Sequence, residues 1–283
     1  MTIFLSYIFY FIVASASPLQ RRWLAKTKNA ENTGQIHFAF QMSLVIVFLT
    51  LFIPFFEPLY FSGNPYYLIL LSLVCGVFGA GVYITSFIAQ KHVEAGVSSL
   101  VMNIYTPITI ILSTILLHEG LTILQGAGTV LLLVGMIVVS KKHHIGRFRF
   151  DKYFLLLLSS GTLLAVLLVA ERALVKMTGF SGSIFLSWWS TCLFLGLATL
   201  ITRNKSEYSK KDIAITGTLK FLQNLSWVLL VYLVGNLSLV SAITTFKVVL
   251  MFVAGALLLN EKQDLPRKII GSLIALAGLL LMK

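Results

Sequence analysis

Two lysines inside apolar stretches are the residues of this 283-residue sequence whose type and position most clearly indicate chemistry. Lys247 lies near the middle of the apolar segment 237–259, and Lys220 lies in the segment 213–235. A charged side chain near the bilayer centre costs several kcal/mol, so such residues are rare and usually functional. A buried lysine needs a counter-charge, a neutral form or a hydrated cavity. Lys247 is the stronger candidate, because the long stem of Lys220 can carry its ammonium back towards the nearer surface.

One face of the segment that contains Lys220 carries a stripe of polar and aromatic side chains. The members recur at helical spacing and are Thr216, Lys220, Gln223, Asn224 and Trp227. A polar stripe within lipid must face protein or a water-filled cavity. Thr216 by itself is typical of a hydrogen bond between helices, whereas a lysine beside two carboxamides favours the lining of a cavity.

Polar residues also share helix faces in the first half of the chain. Asn103 lies on one face with Ser99 and Thr106, next to Pro107. Tyr83 belongs to another stripe, together with Gly79, Ser86 and Gln90. Both groups are candidates for the same polar site as Lys247.

The acidic residues limit how Lys247 can be neutralised. All ten of them, Glu171 included, fall in connectors or at the ends of apolar segments, so we expect no carboxylate at the depth of Lys247. Under the favoured hypothesis the ligand supplies the negative charge and the substrate carries an anionic group. The alternative is that Lys247 is neutral and titrates during transport. An exporter that holds cations with an intramembrane Glu or Asp is not expected.

Enzyme motifs are missing from the sequence. It contains no nucleophile–base arrangement, metal-ligand spacing, phosphate loop or nucleotide fingerprint, and intramembrane catalysis would need paired acids or a His/Asp cluster at depth. Cys75 and Cys192 both fall in apolar runs and are typical of packing residues. We therefore predict that the protein is not an enzyme and holds no catalytic residue, metal or cofactor.

The composition indicates that these residues are positioned by helices in a lipid membrane. Only 11% of residues are charged and the mean hydropathy is +0.91, whereas soluble domains carry about 25% charged residues. Ten apolar segments of membrane-spanning length follow one another, and helices are the only open-chain way to cross lipid. Their approximate bounds are 2–19, 36–56, 66–88, 95–117, 121–140, 153–171, 183–202, 213–235, 237–259 and 266–282.

The net charge of +12 is explained by orientation in the membrane rather than by nucleic acid. Most lysines and arginines fall in alternate connectors, beginning with the cluster around Arg21 after the first segment. The positive-inside rule then predicts that both termini face away from the cytoplasm. The first segment lacks a basic region before its apolar run, so we interpret it as a helix and not as a signal peptide.

The chain repeats its own pattern. Glu119 closes the fourth segment and Glu261 closes the ninth, and after each comes a segment with two glycines, namely Gly128 and Gly135, then Gly271 and Gly278. Small residues of this kind allow helices to pack closely in lipid. Five segments per copy is an odd number, so the copies 1–142 and 143–283 must cross the membrane in opposite senses. The offset that aligns the two glutamates also aligns Tyr105 with Lys247.

These features carry a family resemblance. Residues 81–140, with Pro107, Glu119 and the two glycines, resemble an EamA-type repeat of the drug/metabolite transporter (DMT) superfamily, and residues 227–282 resemble a second copy. The resemblance implies ten helices in two inverted five-helix repeats, with a central cavity lined by the first four helices of each. Anion carriers of this superfamily, such as sugar-phosphate translocators, place lysines similarly in their late helices. Val249 stands where the second copy would match Pro107.

The sequence therefore predicts an all-α integral membrane protein of ten transmembrane helices. We expect a secondary transporter of a small polar metabolite, anionic or zwitterionic, that works by alternating access in a plasma or bacterial inner membrane. The expected substrate-binding residues are Lys247, Lys220, Gln223, Asn224, Trp227, Asn103, Tyr105 and Tyr83. The alternatives are an exporter of amino acids or drug-like amphiphiles, or a lipid flippase or scaffold. A coupling or counter-transported ion and the oligomeric state stay open.

Overall fold

The computed structural model describes residues 2–27, 32–93, 95–144, 152–202, 208–251 and 265–282, and within them every regular element is a helix. This agrees with the composition, because helices satisfy their backbone hydrogen bonds internally in lipid. The helices are α1 (Thr2–Thr27), α2 (Asn32–Thr50), α3 (Pro65–His92), α4 (Ala95–Met102), α5 (Tyr105–Leu117), α6 (Ile123–His144), α7 (Lys152–Thr202), α8 (Lys210–Val234), α9 (Leu237–Thr244) and α10 (Leu265–Leu281). A 3₁₀ turn covers Ile53–Phe55, and residues 246–251 continue helically after α9.

Six helical stretches of the described chain are long and apolar enough to cross a membrane. They are Thr2–Arg21, Gly34–Phe55, Pro65–His92, Ser98–Leu117, Lys152–Thr202 and Lys210–Val234. Three shorter helical stretches are also apolar, namely Ile123–Gly135, Leu237–Met251 and Ile270–Leu281. The prediction of an all-helical membrane protein is confirmed. Ten spans stay a prediction, because the others would have to come from the shorter helices and from a division of α7.

α7 spans 51 residues but is divided at Gly179, whose φ of 68° lies in the left-handed region. Ser187 and Trp188, beyond the division, donate hydrogen bonds to Glu171, before it. The 16 residues between Glu171 and Ser187 would span about 24 Å in a straight helix, so the two parts of α7 pack side by side. Glycine adopts this backbone conformation without the steric cost that a Cβ brings.

Two helix breaks lie in contact at the centre of the fold. One separates α4 from α5 at residues 103–104, and the other separates α9 from residues 246–251 at Thr245. Asn103 Nδ2 donates a hydrogen bond to Thr245 Oγ1 at 3.4 Å, and the hydroxyls of Thr106 and Thr245 lie 2.8 Å apart. The breaks therefore join the first and second halves of the chain.

The two breaks have different local causes. Pro107 follows the first break, and since proline has no N–H it cannot donate the helical hydrogen bond to the Asn103 carbonyl. The second break lies near Val249 instead of a proline. There the hydroxyls of Thr244 and Thr245 bond to backbone carbonyls one turn earlier, at 2.7 and 3.1 Å. Such bonds compete with the helical pattern and bend helices.

α6 and α10 form a closely packed antiparallel pair to one side of the other helices. A Cβ on Gly128 would lie 2.6 Å from the carbonyl oxygen of Gly278, and a Cβ on Gly278 would lie 2.6 Å from that of Gly128. A Cβ on Gly135 would lie 2.7 Å from the carbonyl oxygen of Gly271. The close packing that the sequence predicts for these glycines is confirmed.

The other helices pack around a central core. α1 packs against α8, α3 packs against α7, α2 contacts both α7 and α8, and α5 contacts α7 and α9. Large apolar and aromatic side chains fill the space between them, among them Tyr10, Phe38, Met42, Leu195 and Leu230. A cavity opens within this core.

Candidate functional site

A cavity of about 190 Å³ lies among α1, α2, α3, α4, the start of α5, α7, α8 and residues 246–251. Seven of the eight side chains predicted to bind substrate line it, namely Lys247, Lys220, Gln223, Asn224, Trp227, Tyr105 and Tyr83. Asn103 does not, because it is buried in the contact between the helix breaks. Helical spacing predicts the cavity-lining face of α8, whereas Asn103 hydrogen-bonds to Thr245 outside the cavity.

Lys247 is held by two phenols. Its Nζ donates hydrogen bonds to Tyr10 Oη at 3.2 Å and to Tyr105 Oη at 3.3 Å. It also lies 5.1 Å from the ring centroid of Tyr105, within the range of a cation–π contact. Lys247 forms no ion pair with any residue in the described ranges. Its ammonium is therefore solvated by neutral groups and keeps its charge available to a ligand.

Lys220 points into the same cavity. Its Nζ donates to Gln223 Oε1 at 3.2 Å and lies 5.7 Å from the ring centroid of Tyr83. Asn224 Nδ2 donates to the Tyr83 hydroxyl at 3.1 Å. Gln223 lies one turn deeper in α8, so the ammonium is directed inwards and not towards the nearer surface. The polar stripe of α8 thus contacts Tyr83 of α3 through Asn224 and Lys220.

Thr216, at the shallow end of the stripe, joins helices as the sequence predicts. Gln20 Nε2 of α1 donates to its hydroxyl at 3.0 Å. Thr216 also lines the cavity. This hydrogen bond joins α1 to α8 about one helical turn before Lys220.

Glu171 is a candidate site residue that sequence reasoning missed. The first part of α7 continues past it to residue 178, so Glu171 lies within a helix, is 7% exposed and lines the cavity with both lysines. Its Oε1 accepts hydrogen bonds from Ser187 Oγ and Trp188 Nε1, each at 3.1 Å. The expectation that no carboxylate shares the depth of Lys247 is therefore wrong, and so is the ground on which cation exporters were set aside.

The adjacent charges of Glu171 and Arg172 explain the error. Together they look like the end of an apolar segment, but neighbouring residues on a helix point about 100° apart. Glu171 faces the cavity, while Arg172 faces the ends of α5 and α8. Since each charge finds its own partners, the helix continues. The signal available in the sequence was that the apolar pattern resumes with Leu174 and Val175 before Gly179.

Arg21 is a second residue whose position differs from expectation. The sequence assigns it to a connector, but α1 continues to Thr27, and Arg21 is 3% exposed at the edge of the cavity. Its guanidinium lies 4.0 Å from the ring centroid of Phe87 and 4.7 Å from that of Phe38. It donates to Gln35 Oε1 and, at 3.5 Å, to the Tyr208 hydroxyl. The guanidinium therefore joins α1, α2, α3 and the start of α8.

A buried ion-pair cluster joins the helices on the other side of the molecule. Arg172 Nε donates to both carboxylate oxygens of Glu119, at 2.9 and 3.2 Å, and Lys176 Nζ lies 2.8 Å from Glu119 Oε1. The backbone N–H of Leu237 donates to Glu119 Oε2 at 2.7 Å, and Arg172 Nη2 donates to the carbonyl of Gly235 at 2.5 Å. We call these residues the Glu119 cluster; none of them lines the cavity.

Helices of membrane-spanning length that enclose a polar, charged cavity define a multi-pass membrane protein with a small-molecule site. The model of the EamA-like transporter family matches residues 1–141. The chain belongs to this family of membrane transporters, within the DMT superfamily, and the resemblance seen in the sequence is confirmed.

Comparison with solved structures agrees on the fold. A structure described only as the crystal structure of a protein matches with a TM-score of 0.70 and 14% sequence identity, covering 99% of this chain and 96% of that one. At this identity the match shows the fold and not the substrate. A search of curated proteins gave no match.

Proposed function

We propose that this protein is a secondary transporter of a small polar metabolite that carries an anionic group. The observation that carries the proposal is Lys247, which lines the cavity and is held only by two phenols within the described chain. Lys220 and Arg21 line the same cavity, against one carboxylate, Glu171. Charge interactions are strong where little water screens them, so a cavity with excess positive charge favours an anionic or zwitterionic ligand.

The substrate site would comprise the cavity residues of α3, α5, α8 and 246–251. Lys247 and Lys220 would hold the anionic group, with Gln223, Asn224, Tyr83, Tyr105 and Trp227 around the rest of the molecule. Asn103 would act on the site indirectly, through the helix break that it stabilises. Transport itself needs no catalytic residue, metal or cofactor.

Movement would follow alternating access between two inverted five-helix repeats, residues 1–142 and 143–283. Two contacts support this part of the proposal, because Asn103 meets Thr245 and Tyr105 meets Lys247 at the same separation of 142 residues. Corresponding residues meet in this way only near an axis that relates the two copies. Transporters of inverted-repeat architecture place their sites at such an interface, next to broken helices. The protein would act in a plasma or bacterial inner membrane.

An exporter of amino acids or drug-like amphiphiles is the second candidate. It is favoured by the aromatic side chains of the cavity wall, which are Tyr10, Tyr83, Phe87, Trp188 and Trp227. Aromatic faces stack on apolar or cationic groups. Under this candidate Lys247 and Lys220 would have structural roles, and ligand charge would matter little.

Uptake by the purified protein in proteoliposomes tests the proposal. A panel of anionic, zwitterionic and cationic metabolites is compared for wild type, Lys247→Ala and the control Lys211→Ala, which removes an exposed lysine at the start of α8. We expect transport of anions or zwitterions, loss of that transport in Lys247→Ala and no change in Lys211→Ala. Preference for cations, or full activity of folded Lys247→Ala, would reject the proposal.

A further inference from the structure

Glu171 is a buried carboxylate whose hydrogen-bond donors are neutral. It is 7% exposed, and the hydroxyl of Ser187 and the indole of Trp188 both donate to the same oxygen, Oε1. No Lys, Arg or His of the described ranges forms an ion pair with it. A buried carboxylate is costly unless a positive charge or several donors compensate it.

Glu119 shows how this chain compensates a carboxylate that has a structural role. Glu119 forms ion pairs with Arg172 and Lys176, and it also accepts a hydrogen bond from the backbone N–H of Leu237. Both of its oxygens are bonded. In the part of the chain that the structure describes, Glu171 has neither a cation nor a backbone donor, although it neighbours Arg172 in sequence. The difference indicates that Glu171 is left uncompensated for a ligand.

The cavity could have neutralised Glu171 with its own lysines but does not. Lys247 is bonded to Tyr10 and Tyr105, and Lys220 is bonded to Gln223. All three charged groups line one cavity. Within the described chain, the protein therefore leaves Glu171 without an ion pair although two lysines line the same cavity. A ligand with two opposite charges satisfies both ends at once.

We infer that, if the cavity is the transport site proposed above, it takes a zwitterion whose ammonium group binds Glu171 while its anionic group binds Lys247. Trp188 donates its indole N–H to Glu171 and lines the same cavity. Tyr83 and Trp227 line the wall beside the charged groups and contact the uncharged part of the ligand. The substrate class is thus that of amino acids and related ammonium–carboxylate molecules, not of simple organic anions.

Matched ligands that differ by one charged group test this inference. The panel holds the natural amino acids, each with its des-amino acid and its decarboxylated amine; phenylalanine, 3-phenylpropionate and 2-phenylethylamine form one such trio. Binding is measured by ligand-induced thermal stabilisation of the purified protein, because a ligand that binds the folded state raises its stability. The variants are Glu171→Gln, Glu171→Asp and Lys247→Ala, each first checked for monodisperse folding.

We expect wild type to bind at least one amino acid more tightly than its des-amino acid, by about tenfold or more, as a hydrogen-bonded charge pair provides. Glu171→Gln should bring the two affinities together while binding of the des-amino acid is kept, and Glu171→Asp should retain the preference. Lys247→Ala should weaken both ligands. If Glu171→Gln does not fold, the preference for the amino acid over its des-amino acid, measured in wild type and in Glu171→Asp, still tests the inference.

Three outcomes would overturn the inference. In the first, wild type binds des-amino acids as well as amino acids, which leaves an anion transporter with no ammonium site. In the second, folded Glu171→Gln keeps the preference for the amino acid over its des-amino acid, so that a group other than Glu171 binds the ammonium. In the third, no zwitterion binds. Binding of amines alone would reject the proposed function itself, and so the two failures are distinguishable.

Discussion

Lys247 donates a hydrogen bond to the phenol of Tyr105, the residue at the corresponding position of the other half of the chain. The offset that aligns the two glutamates of the repeat aligns these two residues as well. A contact between corresponding residues brings the two halves together at the cavity. The ammonium of Lys247, in the second half, is therefore held in part by a phenol of the first half.

Replacing either phenol should weaken this arrangement. We expect Tyr105→Phe and Tyr10→Phe each to lower the free energy of unfolding by about 1.5–3 kcal/mol, because each removes an acceptor from a charged donor. Thermal or denaturant unfolding of the purified protein measures the change. Tyr66→Phe is the control, since Tyr66 is 82% exposed, and should have no effect. Unchanged stability in both cavity variants would show that Lys247 does not depend on its phenols.

Much of the site follows from the sequence because helical periodicity is local. The stripe of α8 reaches the cavity as one face, and the pairing of Tyr105 with Lys247 follows from the repeat. A charged residue in an apolar segment must face protein or a water-filled cavity, so the location of Lys247 in the cavity could be predicted from its position in the sequence. These features need no knowledge of which helix lies next to which.

What the sequence could not predict depends on contacts between distant segments. The role of Glu171 rests on Ser187 and Trp188, which reach it only because α7 turns at Gly179. Burial of Arg21 rests on rings from other helices. Asn103 lies outside the cavity because its side chain bonds to Thr245 of the other half of the chain, a contact between distant segments that composition does not predict.

Lysine should not be able to replace Arg21 without a loss of stability. Its plane contacts Phe87 and Phe38 while its nitrogens reach Gln35 and Tyr208, a combination that a lysine cannot reproduce. We expect Arg21→Lys to lower the free energy of unfolding by about 2 kcal/mol. The exchange Lys210→Arg at an exposed site provides the control and should be neutral. A neutral Arg21→Lys would mean that charge alone matters at this end of the cavity.

Two glycines of one helix should respond in opposite senses. Gly128→Ala places a Cβ 2.6 Å from the carbonyl oxygen of Gly278, so α10 must shift; we expect a loss of about 1–3 kcal/mol in unfolding free energy. Gly126→Ala meets no atom within 4 Å, and alanine favours a helix by about 1 kcal/mol over glycine, so this variant should be stabilised. Equal effects would contradict the close packing of α6 on α10.

The two ion pairs of the Glu119 cluster should contribute unequally to the free energy of unfolding. Arg172 and Glu119 are both less than 10% exposed as side chains, whereas the Lys176 side chain is 41% exposed. Glu119→Gln leaves Arg172 as an uncompensated buried charge, and we expect the free energy of unfolding to fall by about 3 kcal/mol or more. Lys176→Gln removes a solvent-screened pair and should cost less than about 1 kcal/mol. Denaturant unfolding of both variants measures the two losses, and equal losses would show that burial of Arg172 does not decide the strength of the cluster.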